Sequence, residues 1–129
     1  MLSNMPLVGA KLRSVLVLDD EGIVLMMIED MLHDLGVEHV HAFADPAKAL
    51  RIAAAEPIDC AILDVMMRGT ASYEVAEMLQ QRGIPFVFSS GVSSDQLDQR
   101  FADVVFLNKP FSDAELIASL SKALGLRAA

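Results

Sequence analysis

The chain has 129 residues, the length of one domain and enough to bury a substantial core, so separate cofactor and substrate domains in tandem are excluded. Ten Lys and Arg against eighteen Asp and Glu leave a formal charge of −8, which repels a polyanion and argues against direct nucleic-acid binding. With 53% hydrophobic and 22% charged residues the composition is that of a packed globule. No apolar stretch is long enough to cross a bilayer, and Met1–Pro6 does not resemble the start of a signal peptide, so a cytoplasmic protein without membrane insertion is expected. The lone cysteine, Cys60, excludes an internal disulfide and a cysteine-based zinc cluster.

Residues 1–12 carry no clear pattern and are expected to form an N-terminal extension to a domain over 13–129. Ser14 to Leu18 is a continuous apolar run ending in Asp19-Asp20-Glu21, the pattern of a strand buried on both faces that emerges into a loop. Val24, Met27, Ile28, Met31, Leu32 and Leu35 follow at helical spacing, one apolar stripe that Gly36 can end. Val37 to Phe43 predicts a shorter strand near a sheet edge. Asp45-Pro46 supplies an N-cap and first-turn proline for an Ala-rich helix ending before Pro57. Ile58 to Leu63 predicts a buried strand delivering Asp64, then a loop containing Gly69 and a helix from about Ser72 to Arg82. Pro85 to Phe88 repeats the scheme and delivers Ser89-Ser90-Gly91, with a short helix expected from Ser93 to about Arg100. Val104 to Leu107 is the last strand and delivers Asn108-Lys109-Pro110. Ser112-Asp113-Ala114-Glu115 is a capping box for a final helix with Leu116, Ile117, Leu120 and Leu124 inward, closed by Gly125.

Five strands alternating with five helices predict an α/β fold, a doubly wound parallel sheet with helices on both faces. Ligands in such folds bind beyond the carboxyl ends of the strands. There the first strand delivers Asp19 and Asp20, the third Asp64, the fourth Ser90 and the fifth Lys109. Carboxylates gathered at the edge of a low-dielectric sheet repel one another, and a hard divalent cation relieves that repulsion. Mg²⁺ is well suited, since it takes oxygen ligands and keeps several waters. A remaining aspartate can then attack phosphorus, provided the oxygens of the transferring group are neutralised by metal, Lys109, the Ser90 hydroxyl and backbone N–H groups. Singly, each residue has an ordinary reading as a helix start, loop polar group or turn. Their joint placement on four strand ends is what points to chemistry.

Val15-Leu16-Val17-Leu18-Asp19-Asp20-Glu21, Leu63-Asp64, Val87-Phe88-Ser89-Ser90-Gly91 and Phe106-Leu107-Asn108-Lys109-Pro110-Phe111 resemble the signature segments of the CheY-like receiver domain of two-component response regulators, over about Arg13 to Leu126. The resemblance implies a flavodoxin-like sheet in the order 2-1-3-4-5. It makes Asp64 the phosphoacceptor, Asp19 and Asp20 the acidic pair for Mg²⁺, and the backbone carbonyl of Met66 a further metal ligand. Ser90 becomes the switch hydroxyl, Lys109 the partner of the phosphoryl group with a cis peptide before Pro110, and Phe106 the aromatic that reports phosphorylation. The implied partners are a histidine kinase or histidine phosphotransfer protein and a downstream protein that reads the fourth helix, fifth strand and fifth helix. Met66 stands where receivers often carry a polar residue, Arg68 where proline is frequent, and Phe106 where tyrosine is commoner; the loop after Asp64 is also short. Phe88-Ser89-Ser90-Gly91 is similar to the Phe-Ala-Thr-Gly segment of a subgroup of mainly alphaproteobacterial single-domain regulators.

The expected function is thus a stand-alone receiver accepting a phosphoryl group from a phosphohistidine donor onto Asp64, with no enzymatic activity beyond self-phosphotransfer and self-dephosphorylation. Three rivals stay in view. An aspartate-nucleophile phosphatase usually has a second Asp two residues after the nucleophile, where this chain has Met66. A nucleotide or flavin binder lacks its Gly-x-Gly-x-x-Gly or phosphate loop after the first strand. A pseudo-receiver interaction module has to be weighed against Asp20, Asp64, Ser90 and Lys109. Elsewhere, His33, His39 and His41 read as ordinary polar residues rather than a metal site, and Cys60 as an inert core residue. Met27 and Met31 are expected on the core stripe. Met26, opposite that stripe, is expected on a docking surface for the phosphodonor.

Overall fold

A predominantly apolar strand is stable where both of its faces are covered, and three strands of this chain meet that condition. The computed structural model describes residues 12–65, 67, 71–91 and 97–125. In chain order its elements are β1 (Ser14–Leu18), α1 (Gly22–Asp34), β2 (His39–Phe43), α2 (Pro46–Ala55), β3 (Cys60–Asp64), α3 (Ala71–Gln81), β4 (Phe86–Ser90), a 3-10 turn (Gln99–Phe101), β5 (Val105–Asn108) and α4 (Asp113–Ala123). Strands β1, β3 and β4 are buried at every position. They form the middle of a five-stranded sheet of order β2-β1-β3-β4-β5 in which each neighbouring pair is parallel.

Alternation along the strands divides the core in two. Leu16, Leu18, Leu63 and Phe88 face one side and pack with Ala49 and Ala53 of α2 and Val75, Ala76 and Leu79 of α3. Val15, Val17, Ile62 and Val87 face the other and pack with Ile28 and Leu32 of α1 and Leu116 and Leu120 of α4. Each fully buried side chain of this size contributes about 1.5–3 kcal/mol of transfer free energy. Helix ends follow local chemistry. Asp45 accepts from Ala47 N–H ahead of Pro46, Ser112 and Glu115 form a reciprocal capping box, and Gly36 and Gly125 take positive φ after α1 and α4.

Two expectations need correction. Among the described residues there are four α-helices and a 3-10 turn rather than five helices. Of the segment expected to be helical from Ser93 to Arg100, residues 93–96 lie outside the described residues, and the remainder enters a single tight turn that Asp98 closes by accepting from Arg100 N–H. The turn is held from its side chains: Phe101 stacks on Tyr73 at 5.2 Å, and the Tyr73 hydroxyl accepts from Asp98 N–H at 3.0 Å. Met27 is not on the core stripe either, being 45% exposed beside Ile23 and Met26. Ile28 and Leu32 centre the buried arc, and one residue back along a helix is a rotation of about 100°, which carries Met27 to the edge of that arc. Met31 does pack against the core.

Cys60, in the centre of the sheet, gives a direct test of this packing. Burial pushes its thiol from the ordinary 9.0 up to about 12. Only the thiolate is strongly nucleophilic, so iodoacetamide at pH 8 is expected to leave the native protein unmodified and to alkylate it in denaturant. The unfolded thiol ionises first as pH rises, so this group's contribution to stability is present below 9.0 and is lost progressively towards 12. A Cys60→Ala variant should lack that part of the wild-type decline, and rapid alkylation of native protein would contradict the burial.

Candidate functional site

Strand β1 places Asp19 on the face of Val15 and Val17, directly after its last residue, and Asp19 is completely buried while Asp20 is exposed. Asp19 also shapes the start of α1, whose N-cap makes no side-chain cap of its own, because its Oδ1 accepts from Glu21 N–H at 2.8 Å. Strand β3 ends in Asp64, 3% exposed, on the same face. Strand β5 ends in Asn108, after which Lys109 N–H donates to the Ser90 carbonyl at 2.8 Å, fixing the start of a cis Lys109–Pro110 peptide.

The Lys109 side chain turns into the carboxylates. Its Nζ lies 2.7 Å from Asp19 Oδ2, 3.4 Å from Asp64 Oδ2 and 3.5 Å from Glu21 Oε1. Burial works against the ammonium, but hydrogen bonding to Asp19 and the charges of Asp64 and Asp19 outweigh it and hold Lys109 above its ordinary value. One carboxylate oxygen from each of Asp19, Asp20 and Asp64 lies within 4.8 Å of the others. Three hard oxygen donors, one of them open to solvent, fit a hard divalent cation such as Mg²⁺. A depression lined by Asp20, Ala44, Pro46 and Met67, about 340 Å³ in volume, adjoins the Asp20 side of the cluster.

Residues 15–121 match the model of the response regulator receiver domain. The chain belongs to this family. The receiver is 40% identical to SdrG from Pseudomonas melonis Fr1, solved in a BeF3-activated conformation, over 89% of this chain and 98% of that one, with a TM-score of 0.76. It is 26% identical to the chemotaxis protein CheY4 of Vibrio cholerae over 88% and 99% of the two chains, with a TM-score of 0.77. The transcriptional regulatory protein PdtaR of Mycobacterium tuberculosis is 31% identical over 87% of this chain but 57% of its own length. The receiver thus spans about half the length of the curated relatives it matches.

The structure brings Asp19, Asp20, Asp64 and Lys109 of the receiver together. Ser90 and Phe106 lie on the opposite face of the sheet, the face of Phe88, with Phe106 beside Phe88 in register and partly buried. The expected carbonyl of Met66 falls outside the described residues, as does Arg68. Among the histidines, His41 Nε2 shares a hydrogen bond with Ser14 Oγ at 3.0 Å. Sequence reasoning misses two neighbours of the site. Glu21, which reads only as part of a helix start, reaches Lys109. Ser89, which the sequence gives no role of its own next to Ser90, is buried beside Asp64 in register. Among the described residues no helix is long and apolar enough to cross a membrane.

Proposed function

We propose that this receiver accepts a phosphoryl group from a phosphohistidine donor onto Asp64 and signals through protein contacts. The convergence of Asp19, Asp20 and Asp64 around Lys109 is the observation that carries the reading. An Asp64 carboxylate oxygen forms a bond to phosphorus as the phosphorus–nitrogen bond to the donor imidazole breaks, and the electron pair of that bond leaves with the ring. Mg²⁺, held by Asp19, Asp20, Asp64 and the Met66 carbonyl, would supply charge neutralisation for the transferring group. Lys109, already drawn to two carboxylates, offsets the charge of a further phosphoryl oxygen. The Ser90 side chain starts on the opposite face, but Ser90 is the last residue of β4, so its hydroxyl reaches over the carboxyl end of the sheet to donate to the phosphoryl group, and Phe106, on the face of Ser90, changes its packing in response. The receiver unit is 13–129, its location cytoplasmic, and its chemistry ends at self-phosphotransfer and hydrolysis of the acyl phosphate. SdrG has been solved in a BeF3-activated conformation, and this receiver takes an activated form of that kind once Asp64 is phosphorylated.

The donor docks on α1. Ile23, Met26 and Met27 are 78%, 64% and 45% exposed there, an apolar ridge in the first two turns of the helix that follows Asp19 and Asp20. Phosphoramidate, too small to need docking, and a panel of phosphorylated histidine phosphotransfer domains separate docking from chemistry. Met26→Glu should leave the phosphoramidate rate unchanged and slow the best protein donor by about tenfold or more, the effect of placing a charge in an apolar contact. Equal slowing with both donors would refute docking at Met26. A wild-type chain that takes phosphate from neither would refute the acceptor reading.

A further inference from the structure

We infer that Ser89 is a second hydroxyl of the site, which donates a hydrogen bond to the acyl oxygen of Asp64 once Asp64 carries a phosphoryl group; this rests on the reading of Asp64 as phosphoacceptor. Two serines end β4, and strand alternation sends them to opposite faces of the sheet. Ser90 continues the face of Phe88 and Phe106. Ser89 continues the face of Val87, and its lateral neighbours in register are Asp64 on β3 and Leu107 on β5. Asp64 and Ser89 therefore project side by side on the face that also carries Asp19.

Ser89 is completely buried, and its Oγ has no hydrogen-bond partner among the described residues. A buried hydroxyl without a partner is a cost that an alanine would avoid, and the flanking positions on this face, Val87 and Leu107, are apolar. The hydroxyl is thus unexplained by packing, and an acceptor that arrives during function would explain it. Adjacent strands lie about 4.8 Å apart, so a rotation about χ1 of Ser89 can bring its hydroxyl towards the carboxyl group of the neighbouring residue.

Phosphorylation changes what that carboxyl group needs. One oxygen becomes the bridge to phosphorus and the other an acyl oxygen, while Lys109, 3.4 Å from Asp64 Oδ2 before transfer, is attracted by the new phosphoryl charge. The acyl oxygen has two lone pairs, so it can face the Mg²⁺ site with one and accept a hydrogen bond with the other; it sits at a position that is 3% exposed, and Ser89 carries a hydroxyl in register beside it. The bond is made only in the modified state. Ser89 is accordingly a positioning residue that favours the phosphorylated form without entering the transfer step.

Beryllofluoride with saturating Mg²⁺ is the probe, followed by ¹⁹F NMR titration of the full chain together with thermal unfolding of the unliganded protein. Ser89→Ala should weaken beryllofluoride binding by about three- to tenfold, the change expected for one hydrogen bond. Its unliganded melting temperature should be no lower than wild type, since no bond is lost there. Ser89→Thr, which keeps the hydroxyl, should bind within about twofold of wild type. Wild-type affinity in Ser89→Ala would overturn the role of Ser89, and so would an equal loss in Ser89→Thr, which would make volume rather than the hydroxyl responsible. If the wild-type chain binds no beryllofluoride, the phosphoacceptor reading fails first and the role of Ser89 with it.

Discussion

Replacing Lys109 by methionine is expected to tighten Mg²⁺ binding while reducing phosphoryl acceptance by about a hundredfold or more, the scale on which loss of one preorganised charge-stabilising group slows transfer. The two effects have opposite signs because one ammonium serves two purposes. Without a divalent ion it neutralises Asp19 at 2.7 Å and Asp64 at 3.4 Å, and so competes for the same oxygens. Removing it leaves two buried carboxylates facing each other, and breaking a buried ion pair from one side costs on the order of 3–5 kcal/mol. The Lys109→Met protein should therefore melt well below wild type in a chelator and recover as Mg²⁺ is added, because an ion that binds only the folded state stabilises it by mass action. Thermal unfolding across a Mg²⁺ series and calorimetric titration measure both. Weaker Mg²⁺ binding in the variant would show that Lys109 does not occupy the cation's electrostatic niche.

The adjacent carboxylates of the acidic pair should separate just as clearly. Both Asp19→Ala and Asp20→Ala are expected to weaken Mg²⁺ by at least about tenfold, since each removes one of the few protein oxygens available to the ion. Their effects on folding differ. Asp20 is exposed, and its loss relieves repulsion among three neighbouring carboxylates, so stability in a chelator should stay within about 0.5 kcal/mol of wild type or rise. Asp19 is buried, accepts from Glu21 N–H and pairs with Lys109, and its loss should cost on the order of 3 kcal/mol. Urea unfolding in a chelator distinguishes them. Equal stabilities of the two variants would refute the structural role given to Asp19.

These residues are legible from sequence because local pattern and function coincide. Each of β1, β3 and β4 is largely an apolar run whose length marks the strand and whose polar residues after it mark its carboxyl end, so Asp19, Asp64 and the Ser89-Ser90 pair can be placed without tertiary information. Lys109 is recognisable for the same reason at the end of β5. What escapes depends on distance in the chain. The contact between Lys109 and Glu21 spans 88 positions, and Ser89 gains meaning only from its register with Asp64. Spacing misplaces Met27 because it gives the period of an apolar stripe but not the centre of the arc that the sheet buries. The segment around Gln99–Phe101 holds its shape through Tyr73 on α3 and Phe88 on β4 rather than through its own helix propensity, so its local pattern cannot reveal a single turn.

Intact mass after incubation with phosphoramidate and Mg²⁺, for wild type and Asp64→Asn side by side, tests the acceptor assignment most directly. Wild type should gain a single phosphoryl group, gain none when Mg²⁺ is chelated before the donor is added, and revert to the unmodified mass over time. Asp64→Asn, nearly identical in shape but without the nucleophilic carboxylate, should gain none. An adduct of equal yield in Asp64→Asn, or no Mg²⁺-dependent adduct in the wild type, would contradict the assignment of Asp64 as phosphoacceptor.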